Sequence, residues 1–307
     1  MCAILGRDSF GGLESGALLG NSNSNDPFQM SFHTQSEKGG QMVNPKHLGI
    51  EELSEFAVKV IRKAGDIALP YYGKGNPQVK FDEELVTEAE LKLVDFFRSE
   101  LKSQYPQHGL FGDGAPREEY VHGEKGYLWI YDALDGVANF QAGIPIWGIS
   151  LALVENFWPV LGAFYMPVTG DLFFARAGEK AFWQDKEISI PSTGNMDNES
   201  VLLTFSRFHN HYKSAFPGKI RNLGSTGAHL CYVARGRAEG ALLAHVSYQD
   251  LAAAQIILTA AGGKICKLDG TEFHLSEYLG GQRITDHLLA APQGSHSSIS
   301  VYLKRVE

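Results

Sequence analysis

Basic charge is in short supply in this sequence: 27 Lys and Arg stand against 35 Asp and Glu, a formal net charge of −8. That balance argues against sequence-independent binding to DNA or RNA, which is driven by replacing counterions with Lys and Arg. Cysteine is just as sparse. Cys2, Cys231 and Cys266 are odd in number and show no CxxC spacing, which disfavours a disulfide framework and a zinc site and suits a reducing cytoplasm. Long apolar runs are missing too, none reaching the roughly 18 to 20 residues that span a bilayer, so no membrane association is expected. The first twelve residues, MCAILGRDSFGG, carry one basic residue and a very short apolar stretch, too little for a secretory signal. What remains, with 44% hydrophobic and 20% charged residues, is the composition of an ordinary soluble globular protein. In such an acidic chain a small anionic substrate needs local help from metal ions or backbone dipoles.

A chain of 307 residues is longer than one small core needs, and two packed halves are expected. Residues 1–45 are rich in Gly, Ser and Asn without sustained periodicity, so they read as a flexible or loosely attached tail. From Ile50 the pattern changes. Leu53, Phe56, Ala57, Val60, Ile61, Ala64, Ile67 and Ala68 recur at three- and four-residue steps, which predicts an amphipathic helix. A second helix is expected to start at Thr87, with Glu90 completing a capping box ahead of Leu91, Leu93, Val94, Phe96 and Phe97. YLWIY (127–131) reads as a strand ending at Asp132, and two further strands are joined by a turn at Asn156. Short strands continue to Ile190, and a crossover near residues 190–200 is expected to divide the chain into 46–195 and 196–307. In the second half Ser225–Arg235 and Asp250–Ala261 are predicted helices, and Ala238–Leu243 and Leu288–Ala291 predicted strands.

The stretch WIYDALDGVANFQAG holds the most chemistry. Asp132 and Asp135 place two carboxylates on one tight bend, with the Leu134 carbonyl between them. Hard divalent cations such as Mg²⁺ take oxygen ligands of this kind. Gly136 and Val137 then open a helical turn whose unpaired N–H groups can hold a phosphate beside the metal. Taken alone the pair reads equally well as an ordinary capped turn.

Its surroundings extend the pattern. DALDGVANFQAGIPIWGISLALVENFWPVLGAFYMPVTGDLFFARAGEKAFW resembles the first signature of the inositol monophosphatase family, written DPxDGTxNFxxGxP and followed by PVxGxxYxP and LFxAxxGxGA. VTEAELKLVDFF resembles that family's VTxADxxxE helix start. GSTGAHLCYVARGRAEGALLAHVSYQDLAAAQIILTAAGG resembles its carboxy-terminal GSxALxxxxVAxGxxD and WDxAAxxxxxxEAGG signatures. The matches fall in the family's order and span about residues 48–305.

The resemblance implies a layered α-β-α-β-α sandwich, α+β in its first half and α/β in its second, and a Mg²⁺-dependent, commonly lithium-sensitive phosphatase with two or three ions. In it Asp132, Asp135 and Asp250 would bind one ion, and Asp113, Asp132 and the Leu134 carbonyl another. Asp113 and Glu90 take the catalytic positions, Gly136 and Val137 the phosphate site, and Gly224, Ser225 and Thr226 the substrate pocket. Lys80 stands where the family often has a basic residue near the metals, and reads equally well as an exposed lysine. Asp250, on its residues alone, also reads as a helix N-terminal carboxylate. The partner implied is a small phosphorylated metabolite, and relatives are commonly homodimers.

Several positions depart from the pattern. Asp113 replaces a Glu, with Gly114 after it where a second acid is usual. Glu90 replaces an Asp, and a capping role alone would account for it. Gln249 replaces a Trp, and Leu243 stands where inositol-cleaving members carry a glutamate, which weakens an inositol reading. The sharpest change is Val137, which replaces the threonine that helps orient and deprotonate the attacking water. Losing such assistance costs about 10² to 10⁴ in rate, so slow or altered hydrolysis is expected, with a degenerate homologue that binds metal and phosphate without turnover as the alternative.

Overall fold

The computed structural model describes residues 49–74, 88–111, 126–156, 158–191 and 195–306, all within one unit, Val43–Glu307. Lys80, Thr87 and Asp113 lie outside the described residues, as does the amino-terminal tail. The predicted first helix is α1 (Ile50–Ala68), and its apolar stripe is the buried one: Leu53, Phe56, Ala57, Val60, Ile61, Ala64 and Ala68. Glu51 and Glu52 in its first turn complement the helix dipole. It lies against α2 (Glu88–Gln104), which buries Ala89, Leu93, Phe97 and Leu101.

These two helices cover one face of a seven-stranded sheet in simple chain order: β1 (Gly109–Leu110), β2 (Tyr127–Asp135), β3 (Gly148–Glu155), β4 (Trp158–Met166), β5 (Asp171–Arg176), β6 (Ala181–Trp183) and β7 (Lys186–Ile188). All neighbours are antiparallel except β1 and β2. Asn156 makes the β3–β4 turn with φ 49°, the left-handed conformation that asparagine tolerates. A half-solvated antiparallel sheet alternates apolar and polar residues. Here the central strands are apolar at nearly every position because both faces are covered. Trp129, Tyr131, Leu151, Leu153, Leu161, Ala163, Leu172 and Phe174 join α1 and α2 in one core cluster. Leu128, Ile130, Ala152, Val154, Phe164, Met166, Phe173 and Ala175 belong to a second cluster on the opposite face.

That opposite face meets α4 (Thr226–Ala234) and α5 (Tyr248–Ala260), after the short α3 (Val137–Ala142) has followed β2. Beyond them lies a mixed five-stranded sheet in the order β10-β8-β11-β13-β12, formed by β8 (Val201–Thr204), β10 (Lys219–Arg221), β11 (Gly240–Leu243), β12 (Gly263–Lys267) and β13 (Leu288–Pro292). Its far side buries Leu202, Leu242, Leu289 and Ile299, the last from α6 (His296–Ser300). A small ribbon of β9 (Tyr212–Ser214) and β14 (Leu303–Arg305) completes the fold. The layers are thus helices, sheet, helices, sheet, helix. Among the described residues no helix is long and apolar enough to cross a membrane.

The middle interface is tight. A Cβ at Gly162 on β4 would sit 2.4 Å from the Ala253 carbonyl oxygen of α5, so the helix backbone rests directly on the strand. Gly162→Ala is expected to lower the unfolding free energy by about 1–3 kcal/mol, because one of two backbones must move. Denaturant titration at unchanged slope measures it, and an unaltered midpoint would contradict this packing.

Candidate metal and phosphate site

The carboxylate pair owes its geometry to an irregularity in β2. Asp132 pairs with Ser150 and Asp135 with Gly148, so three residue steps on β2 oppose two on β3. One extra residue is accommodated as a bulge. In a regular strand, positions three apart point to opposite faces. The added residue cancels that alternation. Ala133 and Leu134 both enter the α1/α2 cluster, while Asp132 and Asp135 both turn toward α4 and α5. The sequence reading that ended the strand at Asp132 is corrected here, since pairing resumes past the bulge. Gly136 follows with φ 90°, and a Cβ there would lie 3.1 Å from the Gly224 carbonyl oxygen, so both conformation and space call for glycine.

Asp135 is gripped by the start of α4. Its Oδ2 accepts from Ser225 Oγ (2.6 Å) and Gly227 N (2.7 Å), and its Oδ1 from Thr226 N (3.0 Å). Ser225 caps the same helix by accepting from Ala228 N at 3.1 Å. Burial pushes the Asp135 carboxyl up to about 6, against the pull of these donors. Asp250 lies on the first turn of α5. Its Oδ2 accepts from Ser247 N (2.7 Å) while Ser247 Oγ accepts from Asp250 N, a reciprocal capping box. Its carboxyl is raised by burial in spite of these bonds. The helix therefore begins at Tyr248, two residues before the expected start.

Asp132 is the most strained of the three electrostatically. Desolvation first, then the charges of Asp250 and Asp135, hold its carboxyl well above the usual range, and Glu90 adds to the effect. Its Oδ1 accepts from Leu134 N at 3.2 Å, whereas its Oδ2 is buried without a hydrogen-bond partner. Glu90, on the first turn of α2 and half-buried, is itself raised by burial.

Half-buried acids crowded together, with one sealed oxygen of Asp132 left unpartnered, suit a hard divalent cation, which takes carboxylate and carbonyl oxygens. Among the described residues no group of three or more His, Cys, Asp or Glu side chains is arranged to hold an ion by itself. Among the described residues the Leu134 carbonyl, which lies within the bulge, is a further oxygen of the kind such a cation takes.

The remaining expected residues take varied places. Val137 is half-buried and packs against the α1/α2 cluster. Gly224, with φ 78°, is exposed, Ser225 buried and Thr226 half-buried. Leu243 is buried in the core. Sequence reasoning missed three braces. Asn139 Nδ2 donates to the carbonyls of Ile146 (2.5 Å) and Leu223 (2.7 Å), and Gln249 Nε2 to the Tyr131 carbonyl (3.2 Å), tying α5 to β2 beside Asp132. Leu223 and Tyr131 lie 84 and 118 residues from their partners, and every acceptor is a main-chain carbonyl, so no local pattern announces these bonds. Ser247 was readable, since Ser at one position and an acid three residues on is a helix-start signature.

The sequence model of the inositol monophosphatase family matches residues 50–296. A histidinol-phosphatase of Chlorobaculum parvum is 31% identical over 242 residues, covering 76% of this chain and 88% of the relative. Inositol monophosphatase 1 of Homo sapiens is 27% identical over 245 residues, covering 73% and 87%. Among solved structures, the extragenic suppressor protein suhB from Bartonella henselae aligns with a TM-score of 0.67 at 23% identity, over 81% of this chain and 97% of that one. This last likeness establishes the fold.

The mutual repulsion of the acids has a measurable consequence. A carboxyl whose folded pKa is raised penalises folding above that pKa, and the penalty fades as pH falls toward its unfolded value. Asp132→Asn is therefore expected to stabilise the cation-free protein at pH 7.5 by on the order of 1 kcal/mol or more. The gain should shrink as pH falls and the Asp132 carboxyl, held well above the usual carboxylate range, takes up its proton. Thermal unfolding across pH without divalent ions tests this, and a destabilised variant would refute it.

Proposed function

Because the chain belongs to the inositol monophosphatase family, we propose that it is a phosphatase that hydrolyses a small phosphate monoester with two or three Mg²⁺ ions held at Asp132, Asp135 and Asp250. The observation that carries this reading is the buried, unpartnered Oδ2 of Asp132, set between two other acids on the α4/α5 side of the bulge. Bound there, Mg²⁺ supplies positive charge for the phosphoryl oxygens and a water of lowered pKa.

The chain's own groups divide the remaining work. By the family resemblance Asp132, Asp135 and Asp250 would hold one ion, and Asp132, the Leu134 carbonyl and Asp113 another. The free N–H groups of Gly136 and Val137, at the start of α3, receive phosphate oxygens. Glu90, raised by burial, is suited to accept a proton from the attacking water. Thr226 and Gly227 direct their N–H groups at Asp135, which leaves the Thr226 hydroxyl, with Gly224 and Ser225, to frame the substrate. The two halves, 46–195 and 196–307, each contribute part of this set.

Leu243, sealed in the core, offers no carboxylate to a polyol. That favours a sugar phosphate, a nucleotide 3′-phosphate or an amino-alcohol phosphate over inositol phosphate, and the histidinol-phosphatase relative makes histidinol phosphate a first choice. A second reading rests on Val137, whose side chain packs into an apolar cluster and has no hydroxyl to order water: a protein that holds cation and phosphate ligand with little turnover.

Phosphate release from a panel of inositol, sugar, nucleotide and histidinol phosphates decides between them. Release is expected with Mg²⁺, inhibited by lithium, abolished in Asp132→Asn, and raised about tenfold or more in Val137→Thr. Stabilisation by Mg²⁺ without release from any ester, even in Val137→Thr, would leave the binding protein as the answer.

A further inference from the structure

The grip of α4 on Asp135 depends on the loop that leads into the helix, and Leu223 in that loop is bonded through both its N–H and its carbonyl. The Leu223 N–H donates to Nε2 of His229 at 2.9 Å, and the Leu223 carbonyl accepts from Asn139 Nδ2 at 2.7 Å. Gly224 follows in the left-handed region at φ 78°, its N–H donating to Asn222 Oδ1, and a Cβ there would lie 2.7 Å from the Asn139 amide. Directly after it come Ser225, Thr226 and Gly227, the three donors to Asp135.

His229 is unusual among its neighbours. It is 4% exposed on a helix that otherwise buries Ala228, Leu230, Cys231 and Val233. An imidazole in such surroundings is costly unless it makes a bond. The bond it makes to Leu223 requires a neutral ring with its proton on Nδ1, and burial, which lowers its pKa to about 4, keeps the ring neutral well below neutrality.

We propose that His229 is a positioning residue for the site: with Asn139 it clamps Leu223 from both sides and so holds the Ser225, Thr226 and Gly227 donors on Asp135. The clamp ties the loop after β10 and α4 to α3, whose Asn139 lies 84 residues from Leu223 in the chain. Its consequence for turnover rests on the phosphatase reading, whereas its consequence for geometry does not.

The test is amide hydrogen exchange in the full chain, compared with phosphate release. In the parent protein Leu223, Thr226 and Gly227 are expected to exchange together, as one opening unit. His229→Phe, similar in size and without an acceptor, should speed all three about tenfold, while amides late in α4 keep their rates. His229→Gln, whose Oε1 can reach the place of Nε2, should restore slow exchange. With Mg²⁺ and a cleaved ester, His229→Phe should lower kcat about tenfold with little change in KM, and His229→Gln should recover much of it. Unchanged exchange in folded His229→Phe, or equally fast exchange in the Gln variant, overturns the proposal. Should His229→Phe not fold, the parent alone still decides, since Leu223 exchanging far faster than Thr226 and Gly227 also overturns it. The expected exchange pattern in a parent that cleaves no ester upholds the clamp and removes only the phosphatase reading.

Discussion

One extra residue between Asp132 and Asp135 organises everything around it. The bulge cancels the alternation of the strand, so two carboxylates that a regular ladder would send to opposite faces point the same way. That face is the one covered by α4 and α5, and the amino ends of both helices reach it: α4 through the donors at Ser225, Thr226 and Gly227, α5 through Asp250. The same bulge sends Ala133 and Leu134 into the opposite core, which fixes how far the strand can twist there.

Three half-buried acids crowd together in this arrangement, and the fold tolerates them unevenly. Asp135 has three donors and Asp250 a capping box, while Asp132 keeps an oxygen with no partner. Unsatisfied buried charge of this kind is expensive in a protein interior, and functional sites are where such cost persists. The apolar packing around it, with α5 resting on β4 at Gly162, is dense enough to carry the expense.

Much of this was legible in the chain. The family resemblance stood on long ordered motifs, and the match over residues 50–296 supports it. The helix at Ile50 and the strand pair turning at Asn156 were readable because period and turn chemistry are local. The bulge was not, since Asp-Ala-Leu-Asp reads as a strand ending in a turn and the extra residue has meaning only against β3. Strand faces were equally hidden, because a sheet covered on both sides leaves no polar stripe. The bonds of Asn139, Gln249 and His229 were hidden for a third reason: each is to main chain, so nothing in the partner's residue type marks the pairing.

The doubly covered sheet also bears on folding fidelity. Strand register is ordinarily enforced because a slip of one residue would expose apolar side chains and bury polar ones. Along β2 that penalty is weak, since Leu128, Trp129, Ile130 and Tyr131 are apolar and buried on both faces. Slipping would instead drive Asp132 and Asp135 into the helix-covered core on the wrong side, away from every donor that meets them. The acids thus serve as the strand's alignment marks, and the correct register is the one that brings them to their donors.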